Sequence, residues 1–101
     1  MVGDIKQGDI IKLGLNPVLV VSNKNFNSRT NLILVCPISS VINGFPMHVQ
    51  LEETTTIGEI KCEQIKAIDP AARPYIFIES APKQILLEVI DIIYGSVEFL
   101  D

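Results

Sequence analysis

The chain has no tryptophan, one histidine, two cysteines, and eight lysines and arginines against twelve acidic residues. Each shortage excludes something. Cys36 and Cys62 form no Cys-x-x-Cys pair and have no histidine beside them, so a zinc-type ligand set is excluded and two free thiols on half-buried strands are expected. A single histidine without clustered ligands gives the expectation of no metal and no cofactor. The formal net charge of −4 excludes a protein that wraps nucleic acid over a broad face, because neutralising phosphates takes an excess of Lys and Arg. A small local basic cleft stays open, so nucleic-acid binding has to rest on particular residues. No apolar run approaches the roughly 20 residues of a membrane-spanning helix. The longest candidates, Asn31 to Val41 and Ile85 to Tyr94, are interrupted by Ser, Pro or acidic residues. The opening Met1-Val2-Gly3-Asp4-Ile5-Lys6 has no basic segment leading into an apolar one, so no signal peptide, no membrane contact and a cytoplasmic location are expected.

What remains is a chain that is 48% apolar and 20% charged, enough for one packed core and too apolar for disorder. At 101 residues it cannot fill two cores, so residues 1–101 read as a single domain. Gly8 to Leu13 opens with a turn signal and continues into β-branched residues. Val18 to Val21 and Leu32 to Ile38 are apolar runs of strand length, as in strands covered on both faces, with Pro37 marking a bulge or strand end. Ser22 to Asn31 is polar and reads as a loop, as does Ser39 to Pro46 around Asn43-Gly44. Met47 to Leu51 alternates, with Met47, Val49 and Leu51 on one face. Gly58 to Ile68 alternates with Ile60, Cys62 and Ile65 inward, which requires a bulge or bend near Glu63 and Gln64. Asp69 to Arg73 reads as a short helical turn, and Tyr75 to Glu79 as a last strand. A helix opens at Ser80-Ala81-Pro82, carries an apolar stripe of Leu86, Val89, Ile90 and Ile93, and stops at Gly95. The whole is mainly β: a small SH3-like barrel or bent antiparallel sheet with a C-terminal helix.

Three segments then carry a resemblance. Gly8-Asp9-Ile10-Ile11 comes first. Pro17 to Ser22 with Phe26-Asn27 follows. The third runs from Val35-Cys36-Pro37-Ile38-Ser39-Ser40 through Gly44-Phe45-Pro46 and Gly58 to Asp69 to Ala72-Arg73. In this order, and closed by an apolar C-terminal helix, the chain resembles the MazF/PemK toxins of type II toxin–antitoxin systems, which include Kid and, more remotely, CcdB. The resemblance implies a metal-independent endoribonuclease that cuts single-stranded mRNA by attack of the RNA's own 2′-hydroxyl. It further implies a homodimer, neutralisation by an acidic antitoxin, and contact with operator DNA only through the antitoxin complex.

Ser39 takes the place of the family's active-site Thr or Ser, where a hydroxyl can donate to a phosphoryl oxygen; serine is also common simply where strands end. Lys61 and Glu63 resemble an Arg and an Asp that serve as acid and base in the Kid-like branch. Two apart on a strand, they would share a face, and the cation would keep the carboxylate ionised. An incidental surface ion pair is the plainer alternative. Asn16, Lys24, Phe26, Arg29, Ser40 and His48 are candidate RNA contacts: cations for the backbone, an aromatic ring for stacking and small polar groups beside them. His48 alone on an alternating strand is more often an exposed polar position, and Phe45 is either a stacking surface or core.

The largest departure from the family lies between Leu15 and Val18. Relatives carry a polar loop there, with a catalytic Arg, whereas Leu15-Asn16-Pro17-Val18 passes directly from strand to strand. Asn-Pro is a poor two-residue hairpin turn, so an Arg-bearing loop is expected to be missing between the strands. Two other readings accompany the ribonuclease: a non-catalytic protein of the same fold that binds antitoxin only, and a CcdB-like protein that binds a topoisomerase. The acidic, tryptophan-free end Glu98-Phe99-Leu100-Asp101 counts against the latter.

Overall fold

The computed structural model describes residues 4–100; Met1 to Gly3, on which the reading of the N-terminus partly rests, and Asp101 lie outside them. In chain order the elements are β1 (Asp9–Leu13), β2 (Asn16–Val20), α1 (Lys24–Thr30), β3 (Ile33–Ser39), β4 (His48–Gln50), β5 (Glu59–Lys61), a single 3-10 turn (Cys62–Gln64), β6 (Lys66–Ile68), β7 (Tyr75–Ser80) and α2 (Lys83–Val97). The strands form an antiparallel sheet in the order β4-β5-β3-β2-β1-β7, with β6 also on β3. It is a bent sheet, not a closed barrel, because β4 and β7 remain as its two ends.

The bend originates at β3. Its first half, Ile33 to Val35, pairs with β6, and its last two residues, Ile38 and Ser39, pair with β5 on the same edge. The Leu34 carbonyl accepts from the Val21 amide on the β2 side. By alternation the Pro37 nitrogen therefore faces the other edge, in the gap between β6 and β5, where no ladder donor is needed. Pro37 thus marks a change of partner and neither a bulge nor the strand's end. The 3-10 turn spans the same gap, so the bend anticipated near Glu63 and Gln64 takes the form of one tight helical turn.

Both faces of the sheet are covered. Ile10, Leu19, Cys36 and Ile38 point toward Ile85 and Val89 of α2. Ile11, Val18, Val20, Ile33 and Val35 point the other way and are closed over by Ile5, Ile68 and Tyr75. This two-sided burial is why the strands read as continuous apolar runs. Along α2 the inward residues are Ile85, Leu86, Val89, Ile92 and Ile93, at helical spacing.

Several local expectations are corrected. Ser22 to Asn31 is not all loop, for it contains α1: Asn23 Oδ1 caps the Phe26 amide at 3.0 Å, and Asn31 closes the helix in the left-handed conformation at φ 59°. Only Asn27 of α1 is buried, so no apolar stripe announced the helix; the asparagines at its two ends were the available signal. Asp69 to Arg73 makes a turn and no helix, with Asp69 Oδ1 accepting from the Ala71 amide. Ser80 belongs to β7, Pro82 is the cap of α2, and the helix runs through Gly95 to Val97. A mid-helix glycine costs only about 1 kcal/mol, which the packed stripe overrides.

The expected missing loop is also corrected. Leu13 stands opposite Asn16, so the turn between β1 and β2 is Gly14-Leu15, with Gly14 at φ 65°. A Gly-first pair suits a two-residue hairpin. Asn16 and Pro17 are the first residues of β2, not the turn, and the chain passes from β1 to β2 through a regular two-residue hairpin.

Two glycines give opposite tests. A Cβ on Gly58, at φ +144°, would lie 2.1 Å from the Ser39 carbonyl oxygen, whereas one on Gly95 meets nothing within 4 Å. Urea denaturation is expected to show Gly58→Ala losing roughly 2–4 kcal/mol. Gly95→Ala should gain about 0.5–1 kcal/mol. Equal effects would contradict both assignments.

Candidate active site

The register places the polar residues of three strands on one face. Ser39 is opposite Glu59, Glu59 is opposite Gln50, and Lys61 is opposite His48, while Ile38, Ile60 and Val49 turn into the core. Directly opposed residues share a face, so Ser39, Glu59, Lys61, His48 and Gln50 line one surface. Glu63 joins them from the 3-10 turn.

Glu59 is the residue that sequence reading missed. It is 3% exposed, and a buried carboxylate needs donors. Three converge on it: the Gly44 amide at 2.9 Å, the Asn43 amide at 3.2 Å and His48 Nδ1 at 3.0 Å. The two amides come from the Asn43-Gly44 turn, in which Gly44 is left-handed and Asn43 Oδ1 takes the Phe45 amide. The Gly44 bond first, then burial working against it, then the His48 and Asn43 bonds leave the Glu59 carboxyl below its ordinary range.

His48 is not an exposed polar position, for its side chain is 6% exposed. Its Nε2 lies 3.1 Å from Glu63 Oε2, so the imidazole bridges two carboxylates. Burial disfavours its charged form, but the bonds to Glu59 and Glu63 prevail and hold its pKa above the ordinary value. Burial likewise opposes ionisation of Glu63, but the His48 bond, Glu63's own backbone amide and the charges of His48 and Lys61 together outweigh it, so Glu63 is held low. Phe45 is neither core nor free: its ring is tilted against His48, with centroids 5.0 Å apart.

Ser39, Lys61 and Glu63 are therefore brought together, but not in the pairing read from the sequence. Lys61 ends β5 and Glu63 lies beyond it in the 3-10 turn, so the two do not share a strand face. Among the described residues Glu63 pairs with His48, and Lys61 makes no salt bridge. Ser39 Oγ accepts from the Val41 amide at 3.1 Å, which satisfies the turn and leaves the hydroxyl proton free to donate. Ser40 is exposed just past β3, and Asn16 is exposed at the corresponding end of β2. Lys24, Phe26 and Arg29 lie on α1, beside the opposite end of β3. Six residues of strand, about 20 Å, separate them from Ser39.

Among the described residues no group of three or more His, Cys, Asp or Glu side chains could hold a metal ion. Both His48 nitrogens are occupied by carboxylates. Cys36 and Cys62 are free and buried, and burial pushes their thiols up to about 12 and about 11.

The Glu59–His48 pair makes stability depend on pH from both sides. Glu59, held low, contributes above its unfolded pKa and loses that contribution as pH falls through the folded value. His48, held high, contributes below its unfolded pKa and loses it as pH rises through the folded value. The urea midpoint is expected to be greatest between these limits, and Glu59→Gln should flatten both slopes. A variant that kept the wild-type slopes would remove the pair from the pH response.

With this geometry in view, the comparisons are informative. A model of the PemK-like, MazF-like toxins of type II toxin–antitoxin systems matches residues 6–94. Endoribonuclease PemK of Escherichia coli is 34% identical over 82 residues, covering 76% of this chain and 62% of that protein, so the chain spans about three fifths of that relative's length. The fold superposes on a MazE–MazF crystal structure from Deinococcus radiodurans with TM-score 0.83, at 26% identity over 91% of this chain and 94% of that one. It also superposes on a mycobacterial endoribonuclease bound to its cognate antitoxin with TM-score 0.77, at 14% identity over 94% and 98% of the two chains, a likeness of fold alone. The match covers β1 to β7 and most of α2, including every residue of the polar face: the chain belongs to the PemK/MazF family of type II toxins.

Proposed function

We propose that this protein is an endoribonuclease that cleaves single-stranded mRNA without a metal. The observation that carries the reading is one shared surface within the family's framework: the register sets a hydroxyl (Ser39) and a cation (Lys61) on it, and the contact of His48 with Glu63 brings an ionised carboxylate to its edge. Glu63 takes the proton of the RNA 2′-hydroxyl as O2′ bonds to phosphorus. The P–O5′ bond breaks, the Lys61 ammonium donates a proton to the leaving O5′, and Ser39 donates to a phosphoryl oxygen. The products are a 2′,3′-cyclic phosphate and a 5′-hydroxyl, and solvent returns the proton from Glu63 to Lys61. Ser40 and Asn16 border this surface and serve as RNA contacts. Lys24, Phe26 and Arg29 reach only a strand long enough to extend to the far end of β3.

The reading extends to partners. The family's solved relatives include toxin–antitoxin complexes, and an acidic antitoxin is the inhibitor proposed here, with operator DNA reached only through that complex. Action on mRNA places the protein in the cytoplasm; among the described residues no helix is long and apolar enough to cross a membrane. A homodimer is supported by β7, a terminal strand whose Ile76 and Phe77 are 67% and 55% exposed. Light scattering at micromolar concentration should give twice the chain mass, and a monomer would remove the dimer from the model.

The short Gly14-Leu15 hairpin favours one rival, the non-catalytic antitoxin binder, because it lacks the loop in which relatives carry an Arg. Incubation of purified protein with a long single-stranded RNA, with and without EDTA, decides between them. Cleavage insensitive to EDTA, with cyclic-phosphate and 5′-hydroxyl ends, is expected. Lys61→Ala or Glu63→Ala should lower the rate by roughly ten- to ten-thousand-fold. Intact RNA alongside tight antitoxin binding would establish the rival.

A further inference from the structure

A carboxylate that acts as base at a 2′-hydroxyl must stay ionised and keep one oxygen toward the substrate. Glu63 is poorly placed to do this alone, since it projects from a single 3-10 turn and its side chain is 34% exposed. His48 supplies the restraint. Its Nε2 is 3.1 Å from Glu63 Oε2, and the ring is itself fixed through Nδ1 by the buried Glu59. Both ring nitrogens face carboxylate oxygens. Only an imidazolium, with a proton on each nitrogen, satisfies both contacts; a neutral ring sets a lone pair against one of them.

We propose that His48 is the positioning residue for the base: an imidazolium seated on Glu59 pins Oε2 of Glu63 and leaves Oε1 for the 2′-hydroxyl of the RNA. The inference rests on the ribonuclease reading and adds to it a residue that acts through Glu63. Besides His48, the only donor to the Glu63 carboxylate among the described residues is its own backbone amide, and no other residue's side chain or backbone competes for it. The charges around the ring favour its protonated state. Glu59 and Lys61 face it from β5 and Glu63 from the 3-10 turn, while Glu52, Glu53 and, from α2, Glu88 line with it a groove of about 380 Å³. That groove is acidic, so the RNA phosphates approach from the Ser39 and Lys61 side.

The arrangement contributes to both limbs of the pH profile, beside the alkaline loss that follows from Lys61 acting as the acid. Cleavage falls on the acid side as Glu63 is protonated, and on the alkaline side as His48 loses its proton and the carboxylate its anchor. The test uses the full chain and a short oligonucleotide carrying a mapped cleavage site. His48→Gln is expected to lower kcat on the order of tenfold, less than loss of the base itself, and to abolish the alkaline limb due to His48. KM should move by less than about twofold, because the substrate does not touch His48. A His48→Gln profile that superimposes on the wild type, or a change confined to KM, overturns the proposal.

A second measurement does not depend on activity. Nitrogen NMR of wild-type His48 should show both ring nitrogens protonated at neutral pH, and Glu63→Gln, a change at an exposed carboxylate, should lower the titration midpoint. A neutral ring at pH 6.5, or an unmoved midpoint, overturns the clamp. Absence of cleavage by the wild type at every pH overturns the ribonuclease reading and the positioning role with it, while the NMR result still decides whether the clamp exists.

Discussion

A carboxylate taken out of water must find donors or lose its charge, and Glu59 is such a carboxylate at the junction of three segments. Its donors come from the Asn43-Gly44 turn and from His48 of β4. One side chain on β5 thereby ties down the long loop after β3, fixes the adjacent strand and orients the only histidine. Gly58, immediately before it, lets β5 approach the Ser39 carbonyl more closely than any side chain would allow. Glu79 plays a parallel part on β7, accepting from the amides of Thr55 and Thr56 and holding the β4–β5 connection in place.

The same constraint underlies the RNA cleavage proposed for so acidic a protein. With a net charge of −4 the chain has no broad cationic surface, so its chemistry has to be arranged locally. On the polar face Lys61 is left without a carboxylate partner among the described residues, because His48 has taken Glu63. A free cation beside an ionised, oriented carboxylate suits proton transfer better than two groups neutralising each other. The split depends on the 3-10 turn: had β5 continued one residue pair further, Lys61 and Glu63 would have lain side by side.

That turn belongs to the bend of the sheet. β3 must change partners from β6 to β5, and Pro37 supplies a position that offers no amide to the vacated edge. The chain returning from β5 crosses the same gap as a 3-10 turn, placing Cys62 in the core and Glu63 at the rim. The geometry of the candidate base is thus a by-product of how a small sheet curves around α2.

The sequence by itself determined the mainly-β class, most strands, the C-terminal helix and part of its inward stripe (Leu86, Val89 and Ile93, with Ile85 missed and Ile90 lying off it), because apolar periodicity reports burial directly. It also offered Ser39, Lys61 and Glu63 as candidate site residues, since residue type and order along the chain carry the family pattern. It did not disclose α1, whose buried face is one asparagine, nor the true hairpin, where Gly14 was passed over in favour of Asn16-Pro17. Above all it did not disclose the Glu59–His48–Glu63 chain. The residues that touch are 11 and 15 positions apart, and they meet only because β4 pairs with β5 in one register. Local pattern encodes which face a residue takes. Which polar residues meet across strands is decided by register and bend, and these depend on how the whole core packs.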